Sequence, residues 1–135
     1  GDIGIAVELD WKPHYDGRTL HPMSEADNVL FDKEGNIIEI RKNIQKPNSK
    51  IGEFAGIVKL SKNGSNILLK KFCELQKYHN GRFHNAPSLK QSIIPDMIQE
   101  LIDSEIKVEP ILISGKWYEI DTPQDLEIAQ KKIEK

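Results

Sequence analysis

The sequence predicts an α/β domain with a mixed β-sheet, flanking helices and a β-hairpin excursion. Short apolar runs typical of strands alternate with longer stretches of helical periodicity, and two of the short runs are joined by a glycine-containing turn, as in an antiparallel hairpin. The chain has 135 residues, of which 38% are hydrophobic and 30% charged, so residues 1–135 are expected to form a single domain that buries a core without disulfides.

The charge balance argues against several classes of function. Nineteen basic and twenty-one acidic residues give a formal net charge of −2 and form no basic stripe, so we expect no nucleic acid partner. No apolar stretch approaches the roughly 20 residues of a membrane-spanning helix. No signal peptide opens the chain, so we expect no membrane partner and a cytoplasmic location.

The first half of the chain is predicted to contain four strands and one ordered loop. Residues 3–9 form an apolar run typical of a strand buried on both faces, which needs a neighbouring strand on each side. Residues 12–24 carry prolines, a glycine and histidines with no regular period, as in a functional loop. The hairpin strands lie at 29–31 and 37–40, and a further strand lies at 54–60. Close backbone approach is expected at two glycines, Gly52 and Gly56.

Two helices follow these strands. Apolar residues at helical spacing over 67–78 indicate the first, and Cys73 within it is expected to be core or half-buried without a nucleophilic role. As the only cysteine, it also excludes an internal disulfide. The second pattern predicts a helix that either begins near Ile94 with Pro95 in its first turn or kinks at Pro95.

The end of the chain is predicted to form two short strands and a last helix. The strands lie at 108–113 and 117–120, with a turn at Ser114–Gly115 between them. The helix is the best marked, because Thr122 is a good N-cap, proline follows at the first helical position, and Asp125 at the third complements the helix dipole.

Polar residues near the predicted strand ends are candidates for ligand binding. Asp10 and Trp11 follow the first strand and suit a cation and a cationic ligand, or else form a strand-end cap and a rim tryptophan. Arg18 offers a fork for a phosphate or phosphonate, or else pairs with a surface carboxylate. Lys42 and Glu53 either project into a shared cleft or face solvent.

Glu119 and Asp121 are the sharpest metal candidates. Strand alternation places both carboxylates on the same face, directly before a helix N-terminus. Such a pair suits Mg²⁺, which completes its shell with water and phosphate oxygens. The alternative is that Asp121 helps cap the helix that Thr122 starts. The histidines show no ligand spacing with a carboxylate or cysteine, so zinc is disfavoured: His14, His21, His79 and His84.

Three motifs in one order resemble a known family. They are D-W followed by Y-D-G-R-T-L-H-P-M-S-E-A-D-N-V, then G-E-F-A-G-I-V-K-L-S, then W-Y-E-I-D-T-P-Q-D-L. Together they resemble nucleotidyltransferases of the phosphocholine cytidylyltransferase type, particularly those encoded with or fused to phosphoenolpyruvate mutase in phosphonate biosynthesis. The resemblance runs over about residues 3–129, nearly the whole chain.

This resemblance implies a Rossmann-like fold and a Mg²⁺-dependent reaction. A nucleotidyl group would pass from an NTP, usually CTP, to a phosphate or phosphonate oxygen of a small acceptor, with release of pyrophosphate. The metal aspartate of the family falls on Asp121, Arg18 and Lys42 would offset acceptor charge as catalytic residues, and Trp11 with Glu25 would receive a choline or aminoethyl head. The implied acceptor side contains six residues: Asp10, Trp11, Arg18, Glu25, Lys42 and Glu53.

The sequence departs from the family at the nucleotide site. It contains neither the glycine-rich nucleotide loop nor the first metal aspartate, so residues 1–135 are interpreted as the C-terminal, acceptor and second-metal part of a nucleotidyltransferase domain. We expect such a part to be inactive unless an N-terminal half pairs with it. The alternative is a non-catalytic binding module that assembles as a homodimer through an unpaired edge of the first strand. The sequence leaves the nucleotide and the acceptor open.

Overall fold

The structure is a five-stranded sheet with helices packed against it. The computed structural model describes residues 1–114 and 117–133. The strands are β1 (Ile3–Glu8), β2 (Asp27–Phe31), β3 (Ile37–Lys42), β4 (Ile51–Leu60) and β5 (Glu109–Ile113). The helices are α1 (Lys62–Tyr78), α2 (Ile94–Asp103) and α3 (Pro123–Ile133). Two 3₁₀ turns, Lys12–Tyr15 and Met23–Glu25, form the loop between β1 and β2.

The sheet is mixed, as the sequence predicts, and its order is β3-β2-β4-β1-β5. β1 pairs in parallel with β5 and antiparallel with β4. β2 pairs antiparallel with β3, which confirms the hairpin, and with β4. Because β1 has a partner on each side, it leaves no edge to a second chain, and the predicted homodimer through an unpaired edge of β1 is wrong.

The main core lies between the sheet and α2. β1 is buried along its whole length, and Ile3, Ile5 and Val7 alternate onto the face that contacts this core. From α2, Ile98 and Leu101 pack against them. The helix begins at Ile94 with Pro95 in its first turn, as predicted, because proline has no N–H to lose there.

Two glycines of β4 play different roles. A Cβ on Gly52 would lie 3.0 Å from the carbonyl oxygen of Glu8, so the predicted close approach is confirmed there. A Cβ on Gly56 would meet nothing within 4 Å, so the same prediction is wrong at this position. Gly56 instead has φ of +79°, and it lies where the pairing register of β1 with β4 shifts between Ile5 and Val7, as in a β-bulge.

The N-terminus of α1 is tied to the residue before β1. Ser61 caps the helix by accepting a hydrogen bond from the N–H of Gly64, and its own hydroxyl donates to Asp2 at 2.6 Å. Beyond this first turn much of α1 is exposed, and Cys73 is exposed, so its expected burial is wrong. Among the described residues, no helix combines the length and apolar character needed to cross a bilayer.

The segment before α3 differs from the prediction. Residues 117–120 are not a strand, and the sheet ends at β5, whose Pro110 fits an edge position. The side chains of this segment contact the end of β1 and the loop after it instead of forming a backbone ladder: Trp117 donates a hydrogen bond to Glu8 at 3.1 Å, and Glu119 lies 3.9 Å from Arg18. Of the predicted Ser114–Gly115 turn, Gly115 lies outside the described residues.

A Gly64→Ala substitution tests how α1 is seated. Alanine favours a helix interior over glycine, but a Cβ at this buried position would overlap the carbonyl oxygen of Asp2 and lie 2.9 Å from its carbonyl carbon. We expect a loss of about 1–3 kcal/mol in the free energy of unfolding, measured by urea denaturation. The exposed neighbour Ser65→Ala is the control and should change stability by less than about 0.5 kcal/mol. Stabilisation by Gly64→Ala would contradict this packing.

Candidate functional site

Charged side chains from four strands meet at one end of the sheet. β1 and β3 end there while β2 and β4 begin there, since neighbouring strands of this group run in opposite directions. The register pairs Glu8 with Glu53, Glu53 with Asn28, and Asp27 with Lys42. Residues far apart in sequence are therefore neighbours, and this end of the sheet is the candidate site.

Arg18 joins the loop after β1 to the start of α3. Its side chain is buried, and its guanidinium forms a two-pronged pair with Asp125, with Nε to Oδ1 at 2.7 Å and Nη2 to Oδ2 at 3.0 Å. The guanidinium also lies 4.5 Å from the ring centroid of Tyr15. A charge so enclosed needs a partner, and Asp125 supplies one.

Asp125 in turn organises the first turn of α3. It accepts hydrogen bonds from the backbone N–H groups of Asp121 and Thr122, while the Thr122 hydroxyl accepts one from the N–H of Asp125. This arrangement confirms Thr122 as the helix cap. Burial acts to raise the pKa of the Asp125 carboxyl, but the hydrogen bonds from Arg18, Asp121 and Thr122 and the charge of Arg18 together outweigh it and hold the pKa below its ordinary value.

A mixed group of metal-ligating side chains lies beside this pair. Ligand atoms of His21, Glu119 and Asp121 lie within 4.8 Å of one another. Arg18 approaches the same two carboxylates, at 3.4 Å from Asp121 and 3.9 Å from Glu119. Burial, and then the charge of Asp121, raise the pKa of Glu119. The two predicted metal carboxylates are thus close together, and His21 joins them from a residue 98 or more positions away, which spacing rules do not detect.

Glu53 and Tyr15 form a buried pair under the site. The Tyr15 hydroxyl donates a hydrogen bond to the Glu53 carboxylate and lies 3.5 Å from Glu119. Only 2% of Glu53 is exposed. Burial raises the pKa of Glu53 to about 7, although the hydrogen bond from Tyr15 acts in the opposite direction. Glu53 therefore holds a proton over part of the neutral range.

Lys42 and Glu25 lie on the rim of the site. The Lys42 ammonium is 3.0 Å from the Glu25 carboxylate, and both side chains are about half exposed. That hydrogen bond raises the pKa of Lys42. Lys42 lines a cleft of about 440 Å³ together with Asp27 and residues before and within the first turn of α2. Glu53 does not line this cleft, so the structure does not bring Lys42 and Glu53 into a shared opening.

Within the described residues, neither Asp10 nor Trp11 forms a side-chain hydrogen bond or ion pair with His21, Glu119 or Asp121. Trp11 is 5% exposed, donates a hydrogen bond to the carbonyl of Ile51 at 3.1 Å, and packs edge-on against Tyr15 in a second small core. Asp10 is exposed. The predicted contact of Trp11 with a cationic ligand stays a prediction. Trp117, which sequence reasoning did not select, is more accessible and packs against His14.

Comparison with known proteins supports a similarity to cytidylyltransferases, whereas the phosphocholine and phosphoenolpyruvate mutase part of the resemblance stays a prediction. No family model matches the chain. A curated protein from Campylobacter jejuni subsp. jejuni serotype O:2, named CTP:phosphoglutamine cytidylyltransferase, is 24% identical over 134 residues. The alignment covers 97% of this chain and 50% of the relative, so the chain spans about half the length of that protein.

A Glu53→Gln variant tests the buried carboxyl. The pKa of Glu53 rises from an ordinary value of 4.5 to about 7 on folding, so the folded state binds the proton more tightly than the unfolded state. Stability from this group is therefore present below pH 4.5 and is lost as the pH rises towards 7. We expect the melting temperature of Glu53→Gln relative to the parent to increase over that interval, whereas the exposed Glu74→Gln should follow the parent. A constant difference would contradict the raised pKa.

An Arg18→Lys variant tests the two-bond pair with Asp125 that joins the loop after β1 to α3. Lysine keeps the charge but cannot form both bonds to Asp125 or stack on Tyr15. We expect the free energy of unfolding to fall by about 1.5–3 kcal/mol, measured by chemical denaturation. Arg41→Lys is the matched control, because Arg41 is partly exposed and pairs with Glu39 two residues away. Equal effects of the two substitutions would argue against a special role for Arg18.

Proposed function

We propose that this chain is the acceptor- and metal-binding part of a cytidylyltransferase. In the reaction, an anionic oxygen of a small acceptor attacks the α-phosphorus of CTP, a new P–O bond forms, the bond to the β-phosphate oxygen breaks, and pyrophosphate leaves. The similarity to a cytidylyltransferase supports this reaction. The observation that supports it most is that the side chains of Glu119 and Asp121 lie together, with Lys42 near enough for the charge of Glu119 to act on its pKa.

The residues present fit a divalent cation. Glu119 and Asp121 each offer a carboxylate oxygen, His21 offers a ring nitrogen, and both carboxylate side chains are about 40% exposed and accessible to an ion. A bound divalent cation would offset negative charge on the nucleotide phosphates. Arg18 lies against the same carboxylates but is already paired with Asp125, so the proposal gives it mainly a positioning role.

Lys42 is the proposed contact for the acceptor phosphate or phosphonate. Its ammonium lines the cleft beside the carboxylate group and is close enough to Glu119 for that charge to raise its pKa, after the larger effect of Glu25. Holding the attacking oxygen in line while offsetting the repulsion between two anions is the main task of a protein in this reaction.

The rest of the cleft carries groups that suit a polar acceptor. Besides Lys42 it contains the side chains of Arg41, Asp27, Asn85 and Gln91, which together provide both charges and amide groups. These groups are compatible with phosphocholine or an aminoalkylphosphonate, the acceptors expected from the resemblance, and with a phosphorylated amide such as the one named in the relative. The proposal assigns CTP phosphate binding to a nucleotide-binding half that these 135 residues do not contain.

Ligand-induced stabilisation tests the acceptor site. The melting temperature would be measured with Mg²⁺ or Mn²⁺ and phosphocholine, 2-aminoethylphosphonate or CTP in turn. A ligand at 100 times its Kd stabilises the folded state by about 2.7 kcal/mol. We expect a shift with at least one acceptor, and we expect Lys42→Gln to remove it because the anion loses its cationic partner.

The control is Lys46→Gln. Lys46 is similarly exposed but pairs with Glu39, away from the carboxylate group, so its variant should keep the shift. An undiminished shift in Lys42→Gln would contradict the assignment of Lys42. No shift with any acceptor would contradict the proposed acceptor site.

A further inference from the structure

His21 stands next to both carboxylates of the metal site, although sequence spacing did not select it. We propose, building on the metal site of the proposed function, that His21 is a third protein ligand, that Asp27 orients its ring, and that the site consequently selects Mn²⁺ over Mg²⁺. Each of the three parts of this proposal has its own observation in the structure.

The geometry of the three side chains supports the first part, that His21 is a metal ligand. His21 Nε2 lies 3.6 Å from Asp121 Oδ2, and the nearest ligand atoms of His21, Glu119 and Asp121 are all within 4.8 Å of one another. An ion that holds its ligands at about 2.1 Å keeps adjacent ligand atoms roughly 3 Å apart in an octahedral shell. Small rotations of the three side chains would therefore bring them onto one ion.

Two buried atoms without hydrogen-bond partners support the second part, that Asp27 orients the His21 ring. Within residues 1–114 and 117–133, the buried side-chain polar atoms that lack a hydrogen bond are His21 Nδ1 and Asp27 Oδ1. His21 lies in the loop that leads into β2, and Asp27 is the first residue of that strand. When a neutral histidine binds a metal through Nε2, its Nδ1 carries a proton and usually donates it to a carboxylate. Asp27 Oδ1 is the available acceptor.

The charge balance and the ligand types support the third part, that the site selects Mn²⁺ over Mg²⁺. Arg18 makes its shortest contacts, 2.7 and 3.0 Å, with Asp125, and only longer ones with Glu119 and Asp121. The guanidinium charge of Arg18 is therefore neutralised mainly by Asp125. The exposed carboxylates of Glu119 and Asp121 keep negative charge that can bind a metal cation. Mg²⁺ strongly prefers oxygen ligands, whereas an imidazole nitrogen with two carboxylates suits a transition-metal ion.

Electron paramagnetic resonance with Mn²⁺ tests this directly on the isolated chain. Titration gives the Kd, and electron spin-echo modulation detects a directly bound ¹⁴N nucleus. We expect ¹⁴N coupling from His21 and Mn²⁺ binding at least about 10-fold tighter than Mg²⁺ binding in competition. His21→Ala should remove the coupling and weaken Mn²⁺ binding by at least about 10-fold, with a smaller effect on Mg²⁺.

Two further variants separate ligation from indirect effects. Asp27→Asn keeps the side-chain shape and should preserve the ¹⁴N coupling while weakening Mn²⁺ binding by about 10-fold. His79→Ala removes a histidine directly after α1 whose ring N–H donates to the carbonyl oxygen of Arg82, and should leave Mn²⁺ binding unchanged. Circular dichroism of each variant establishes that it is folded.

The outcomes distinguish this proposal from the proposed function. Mn²⁺ bound without ¹⁴N coupling, or coupling that persists in His21→Ala, would overturn the assignment of His21. Unchanged affinity in Asp27→Asn would overturn the role of Asp27. If no Mn²⁺ binds, both this proposal and the proposed metal site fail. Nitrogen-coordinated Mn²⁺ with no stabilisation by any acceptor would support the His21 assignment while contradicting the acceptor site.

Discussion

The buried pair of Arg18 and Asp125 is the interaction on which the site depends. It links the loop after β1 to the first turn of α3, two segments separated by more than 100 residues. Because Asp125 also binds the backbone N–H groups of Asp121 and Thr122, the same carboxylate that neutralises the guanidinium fixes the direction in which Asp121 leaves the helix start. The Asp125 carboxylate therefore positions both the loop after β1 and the start of α3. The geometry of the proposed metal site consequently depends on the Arg18–Asp125 pair, which also stabilises the fold.

The sheet supplies the second constraint. Its antiparallel pairings bring alternate strand beginnings and ends to one place, so that Asp27, Lys42 and Glu53 are held on rigid backbone within the same region. Tyr15 connects this rigid part to the loop, since its hydroxyl bonds to Glu53 and approaches Glu119. Side chains on strands are held in more precise positions than side chains on loops. This site combines residues on strands with proposed metal ligands on loops.

Acidic side chains outnumber basic side chains in this region, so its negative charge is only partly neutralised. Burial raises the pKa values of Asp27, Glu53 and Glu119 together, although each has a cation within electrostatic range. Such an arrangement opposes folding and is typical of places where stability is subordinate to ligand binding. A divalent cation at His21, Glu119 and Asp121 would relieve the repulsion, and a proton on Glu53 relieves part of it over the lower half of the neutral range.

The sequence by itself determined the mixed sheet, the hairpin, the start of α2 at Ile94 and the cap of α3 at Thr122, because these depend on local periodicity and on neighbouring residues. It also selected Glu119 and Asp121, although the strand alternation on which that selection rested is wrong, because residues 117–120 do not form a strand. Only the tertiary structure decided that Trp11 is buried, that 117–120 does not extend the sheet, and that His21 and Asp27 join the site. These features depend on which segments pack together, and a local pattern carries no information about partners such as Ile51 for Trp11, 40 residues away, or Glu8 for Trp117, 109 residues away.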